Sequence, residues 1–117
     1  MTAIQPKTDA STITVCNPAD GRVVGTVPIE TPEAVAAKAG ELRLFQPEWE
    51  ALGPRGRKYW LLKYQDWVLD NLEHITDVVQ SETGKTRADA SIEAPLTATL
   101  LDYWAGHAER FLADERY

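Results

Sequence analysis

Between Leu61 and Val79 the apolar residues Leu61, Tyr64, Val68, Leu72, Ile75 and Val79 recur at intervals of three and four. That spacing lines one face of an α-helix. A strand, whose faces alternate every second residue, cannot use it. Trp60 and Trp67 flank the stripe, Asp70-Asn71 offers a place to break it into two helices, and Gly84 is a stop signal. A second stripe, with Ile92, Leu96, Leu100, Tyr103, Trp104, Ala108 and Phe111, runs through a segment from about Thr86 to Ala113. Pro95 lies inside it and is expected to kink the helix or begin it. A third stripe carries Val35, Ala36, Ala39, Leu42 and Phe45. It follows Thr31-Pro32-Glu33, where Thr31 suits an N-cap, Pro32 the first helical position and Glu33 the positive end of the dipole. This helix is expected to stop before Pro47, leaving Trp49 in a connector that ends at Gly53-Pro54.

The front of the chain reads differently. Thr12 to Cys16 (TITVC) is rich in β-branched residues, and Arg22 to Pro28 (RVVGTVP) reads as a second strand. Asn17-Pro18-Ala19-Asp20-Gly21 between them is a turn cluster, with Asp-Gly its strongest signal. A lone hairpin is marginal in water, so this one must pack on something. Residues 1–11 are polar and read as a flexible tail. The fold class is α+β: an N-terminal β-hairpin followed by three or four helices, within residues 12–117.

Composition narrows the function. Lys plus Arg is 12 against 18 Asp plus Glu, a formal net charge of -6 in 117 residues. Such a balance repels phosphate, so neither nucleic acid nor an anionic membrane is an expected partner. No apolar run reaches the roughly 20 residues of a bilayer span, and Met1 to Ala10 has no signal-peptide core. The single cysteine, Cys16, has no internal disulfide partner. A cytoplasmic protein is the expectation.

Chemistry is sparse. There is no Gly-rich dinucleotide fingerprint, no phosphate loop and no Cys or His pair at metal spacing. His74 and His107 sit in helical patterns with no nearby nucleophile, and read as surface or packing residues. Cys16 ends a β-branched run, where a small buried thiol is the simpler reading than a catalytic thiolate. Arg55, Arg57 and Lys58 gather at a helix start. They read as a solvated helix entrance or, less simply, an anion contact. Since cations are disfavoured at that end of the dipole, an acidic neighbour is expected to hold them. Trp49, Trp60, Trp67, Tyr103 and Trp104 could make a ligand platform, but at helical spacing they are expected to be core.

Several short motifs in order add a family resemblance. Val15-Cys16-Asn17-Pro18-Ala19-Asp20-Gly21, followed by Val24-Gly25-Thr26-Val27-Pro28, resembles the opening of the NAD(P)-dependent aldehyde dehydrogenase superfamily. Thr31-Pro32-Glu33-Ala34-Val35 and then Phe45-Gln46-Pro47-Glu48-Trp49 are similar to its first helix and the F-x-x-W element after it. Glu82-Thr83-Gly84-Lys85 matches its ETGK motif, and Asp102-Tyr103-Trp104-Ala105-Gly106 with Glu109-Arg110 is similar to its YYAG-x-A-E-R helix. The resemblance covers about Ile13 to Tyr117, with a succinate-semialdehyde dehydrogenase flavour.

The resemblance implies that residues 12–117 are an incomplete N-terminal portion of a Rossmann-like α/β NAD-binding domain, in a subunit several times longer. Its catalytic cysteine, general-base glutamate, oxyanion-hole asparagine and nucleotide loops would lie downstream, so no catalytic or cofactor-binding residue is expected here. The complete enzyme would oxidise an aldehyde, such as succinate semialdehyde, to an acid with NAD or NADP. Its partners would be the remainder of that subunit and further copies of it. By the same resemblance Val15, Cys16 and Glu82 are partial ligands of a structural monovalent cation. Cys16 is not the nucleophile. Pro95 and Asp102 depart from the family pattern. The alternative is a stand-alone helical interaction module derived from the family.

Overall fold

A computed structural model describes residues 11–114. Two strands, β1 (Thr12–Cys16) and β2 (Val23–Pro28), are followed by four helices: α1 (Pro32–Ala51), α2 (Gly53–Asp70), α3 (Leu72–Thr83) and α4 (Arg87–Phe111). The α+β architecture and its element order agree with the sequence reading.

The strands pair antiparallel, with Thr12 opposite Pro28, Ile13 opposite Val27, Thr14 opposite Thr26 and Val15 opposite Gly25. The register then slips, Cys16 facing Val23, so Val24 is the extra residue of a bulge. The Ile29 N–H donates to the Ser11 carbonyl at 2.9 Å. Ser11 therefore belongs with the hairpin rather than with a tail; the rest of the expected tail, residues 1–10, lies outside the described residues. The turn is tied by Asn17. Its N–H donates to the Arg22 carbonyl at 2.9 Å, its carbonyl accepts from Gly21 N–H at 2.8 Å, and its Oδ1 accepts from Ala19 N–H at 2.8 Å. Gly21 takes a positive φ of 75°, which the Asp-Gly pair supplies at little strain.

The helix starts follow the capping residues. Thr31 Oγ1 accepts from Ala34 N–H at 3.1 Å, and Thr86 Oγ1 from Asp89 N–H at 3.2 Å. α2 and α3 part at Asn71, whose side-chain amide donates to the Trp67 carbonyl at 2.7 Å. α3 ends at Gly84 in the left-handed conformation.

One expectation about proline is corrected. α1 does not stop before Pro47 but runs through it to Ala51, so Trp49 is helical and Gly53-Pro54 opens α2. α4 begins at Arg87, at the front of the expected segment, and of the two roles offered for Pro95 it does not begin the helix but lies inside it. An internal proline costs one i→i−4 bond. Here the bereft carbonyls belong to Arg43 and Ser91, both exposed residues, where water can serve them.

The core is small. α4 packs mainly on α2 and next on α3, while α1 makes slight contact with α2. Val68, Ala94 and Ala98 form the buried cluster, with Leu72, Ile75 and Leu101 packed around it. α1 buries no residue at all. The radius of gyration is 19.6 Å, against roughly 13 Å for a compact chain of about 100 residues.

The expected aromatic core is also corrected. Trp49, Trp60, Trp67, Tyr103 and Trp104 are all exposed, between 42% and 55%. On α4 the buried face is not the large apolar stripe but Ala90, Ala94, Ala98 and Ala105. Small side chains let helices approach closely, and the approach is close enough for Gln65 Nε2 of α2 to donate to the Ala98 carbonyl at 2.8 Å. The large residues keep about half of their surface exposed.

Candidate functional site

The three residues named for a cation lie on two elements. Val15 and Cys16 are half-buried at the end of β1, and Glu82 is exposed in the last turn of α3. The fold brings those two ends together. A Cβ built on Gly84 would stand 3.0 Å from the Ala19 nitrogen, 3.0 Å from Pro18 Cγ and 3.1 Å from Ala19 Cβ. The Asn-Pro turn thus rests on the C-cap of α3, two residues from Glu82. Asn17, 5% exposed, is the buried polar residue at this corner, and the three turn bonds above engage its backbone and side-chain oxygen.

The corner is braced from α4. Lys85 Nζ pairs with Glu93. Arg87 spans to α3, Nη2 meeting Glu73 Oε2 at 2.9 Å and Nη1 meeting Asp77. Its guanidinium is held further above its ordinary value, first by the hydrogen bond to Asp77 and then by that carboxylate's charge. Glu82 makes no ion pair among the described residues. No three His, Cys, Asp or Glu side chains gather there as a metal cluster.

The basic cluster has the acidic neighbour expected of it. Arg55 at the start of α2 clamps Glu109 near the end of α4, Nε lying 3.1 Å from both carboxylate oxygens and Nη2 2.9 Å from Oε1. The hydrogen bond first, and the charge second, hold the Glu109 carboxyl below its usual range. Arg57 Nε turns instead to the Gly53 carbonyl at 3.1 Å. His107 is half-buried, with Nδ1 2.7 Å from the Tyr103 carbonyl and its ring stacked on Tyr103, while His74 is exposed. Neither stands beside a nucleophile. Cys16 is a free thiol.

A nucleotide does not fit these residues. The left-handed glycines Gly21, Gly53 and Gly84 are separate turn and cap positions. The strand-to-helix connection from β2 to α1 is Ile29-Glu30-Thr31. It has no glycine to admit a pyrophosphate and carries an acid that would repel one.

The sequence matches the model of the aldehyde dehydrogenase family over residues 4–117. The chain belongs to the aldehyde dehydrogenase family. Among curated relatives it is 32% identical to glutarate-semialdehyde dehydrogenase of Pseudomonas putida, over 91% of this chain and 22% of that protein. It is also 32% identical to lactaldehyde dehydrogenase of Escherichia coli, over 85% and 21%. With a putative NADP(+) succinate-semialdehyde dehydrogenase of Mycolicibacterium smegmatis it shares 33%, over 82% and 19%. The crystal structure of PnpE in complex with nicotinamide adenine dinucleotide superposes with a TM-score of 0.79 at 27% identity, over 85% of this chain and 20% of that one. The chain thus spans about a fifth of the length of the relatives it matches. The hairpin and helices are a recurring part of the fold of this family. No described helix is long and apolar enough to cross a membrane.

Proposed function

We propose that this aldehyde dehydrogenase chain is the front of an NAD(P)-binding domain, residues 12–117, in a cytoplasmic, homo-oligomeric subunit that oxidises a semialdehyde to an acid. The observation that carries this reading is the family match along nearly the whole chain, joined to relatives named for glutarate and succinate semialdehydes that are about four times as long. The dinucleotide supplies hydride acceptance when bound. This chain's own residues contribute support: Asn17 fixes the hairpin turn, Gly84 lets that turn seat on α3, and Arg55 and Arg87 tie α4 to α2 and α3. The catalytic groups belong to the rest of the subunit, and the 117-residue chain alone does not turn over.

The experiment is the intact mass of the protein in its source cell, with NADH formation from succinate and glutarate semialdehydes. A mass several times 13.0 kDa with activity is the expected result. A native species of that smaller mass that reduces NAD by itself overturns the supporting role.

A structural monovalent cation at the turn belongs to the same reading. The Val15 and Cys16 carbonyls and the Glu82 carboxylate would hold it, sharing their site with a ligand from the remaining chain. In the complete enzyme, potassium should raise the melting temperature over a bulky organic cation, and Glu82→Ala should remove the difference. Equal melting in both salts, with Glu82→Ala unchanged, rejects the site.

A further inference from the structure

α1 has a direction that burial does not explain. It buries no residue and makes only slight contact with α2. Leu52 alone separates the two helices, and its own backbone is right-handed helical. The change of direction therefore falls on Gly53, whose φ is 60°. A glycine with open space around it is by itself a free swivel, because it passes between left- and right-handed conformations at little cost.

Three neighbours remove that freedom. Pro54 keeps the residue before it out of the right-handed helical region, so Gly53 cannot join α1 and α2 into one continuous helix. Arg57, half-buried, donates from Nε to the Gly53 carbonyl at 3.1 Å and ties the peptide group that would have to turn. Gly56 donates its N–H to the Leu52 carbonyl at 3.1 Å, and a Cβ built on it would stand 2.9 Å from Leu52 Cβ. No positive φ calls for glycine at 56, and in a helix glycine costs about 1 kcal/mol relative to alanine. What glycine admits there is the close approach of Leu52. The start of α2 is anchored in turn, since Arg55 clamps Glu109 of α4.

The other end of the same segment is held in a similar way. Only Glu30 lies between Ile29, which is bonded into the hairpin, and Thr31, which caps α1. The hairpin in turn rests its Asn-Pro turn on Gly84. Of the seven glycines, a Cβ would be crowded only at Gly56 and Gly84, and at the other five it meets nothing within 4 Å. Those two positions are the two ends of the path formed by the hairpin and α1.

We infer that the hairpin and α1 form a strap held at its two ends, by the elbow of residues 52–57 and by the seat of the Asn-Pro turn on Gly84, so that a change at one end is felt at the other. The lever is long. A methyl at Gly56 lies at least about 0.6 Å inside the optimum carbon–carbon separation of about 3.5 Å. Opening the elbow by that much across one helical turn of about 5.4 Å rotates α1 by about 6°, which carries the far end of its 20 residues by about 3 Å. The turn's clearances at Gly84, 3.0–3.1 Å for a methyl, do not survive such a displacement unchanged.

The inference does not depend on the proposed function. Pulsed electron-spin distance measurements on the full chain test it, in a Cys16→Ser background with spin labels on two pairs of exposed positions. Ala37→Cys with Asp66→Cys reads α1 against α2, and Thr26→Cys with His74→Cys reads the hairpin against α3. Each pair should give one narrow distance. Gly56→Ala should move the mean by about 2 Å or at least double the width at both pairs, and Gly84→Ala should do the same from the other end. Gly40→Ala, in open space, should change neither. Broad distances in the parent overturn the inference and make Gly53 a free hinge. A Gly56→Ala effect confined to the first pair, or none at all, overturns it too. If Gly56→Ala loses its helical circular dichroism, Arg57→Met replaces it. That change removes an elbow bond without adding a contact at Leu52, and the same readings decide.

Discussion

Gly84→Ala should be among the costliest single-methyl changes in the described structure, and two separable effects make it so. The first is conformational. Gly84 has φ 68°, and an L-residue in that region pays about 1–2 kcal/mol, offset by about 0.4–1 kcal/mol because alanine restricts the unfolded chain. The second is steric. The new methyl would meet the Ala19 nitrogen and Pro18 Cγ at 3.0 Å. The neighbour is turn backbone held by Asn17, so it cannot swing aside as a flexible side chain would. Overpacking of this kind costs about 1–3 kcal/mol. The net loss is about 3 kcal/mol. With a urea m-value of about 1–2 kcal/mol/M for a chain this size, the midpoint should fall by about 1.5–3 M. Two other glycines separate the effects. Gly21 has φ 75° with open space around it, and Gly40 in α1 has open space and no positive φ. Gly21→Ala should therefore show the conformational cost alone, and Gly40→Ala should gain about 0.5–1 kcal/mol from helix propensity. Urea titrations followed by tryptophan fluorescence and far-UV circular dichroism give all three. If Gly84→Ala loses no more than Gly21→Ala, the turn does not bear on α3 as described and the reasoning is refuted.

The two faces of α4 and the Arg55 clamp make further predictions. Ala98→Leu, at a position 4% exposed, should destabilise by about 1–3 kcal/mol, whereas Leu96→Ala, 54% exposed, should stay within about 0.5 kcal/mol in a dilute monomer. The opposite order in urea titrations would mean the large stripe is the core. The Glu109 carboxyl is held below the ordinary titration range of a glutamate by Arg55, through the hydrogen bond first and its charge second. Its stabilisation is therefore present above that range and lost as pH falls through the lower folded value. Glu109→Gln should sit slightly below the wild type at about pH 7 and match it at about pH 3, with the gap small because the pair is exposed. A gap that persists in acid would exclude the ion pair as its source.

The legible parts of this fold were those set by local chemistry. Thr31 marks a helix start because a hydroxyl can answer an orphan N–H three residues on. Gly84 marks a stop because few residues tolerate its φ. The ends of β1 and β2 follow from the Asx and Gly chemistry of one turn. Proline was over-read. It lowers helix propensity by a fixed amount, and a helix with exposed carbonyls and good formers on both sides absorbs it. At the candidate corner, the motifs named Val15, Cys16 and Glu82, but spacing alone gave no sign that the Asn-Pro turn sits on Gly84. That contact joins residues about 65 positions apart, and no local pattern reports it.

The aromatic misreading has a different origin. Periodicity shows that a helix has an apolar face, not which partner covers it. On α4 two faces qualify, and the alanines won the contact with α2 because close approach needs small residues, while the tryptophans and leucines carry most of the burial energy a partner could gain. Burying Leu or Phe stabilises by about 1.5–3 kcal/mol and burying Ala by far less, so the larger stripe holds most of the burial energy that α4 leaves unrealised. Its outward placement, together with an α1 that buries nothing, leaves much apolar surface exposed among the described elements. The sequence carries apolar surface sized for more protein than these elements can cover among themselves.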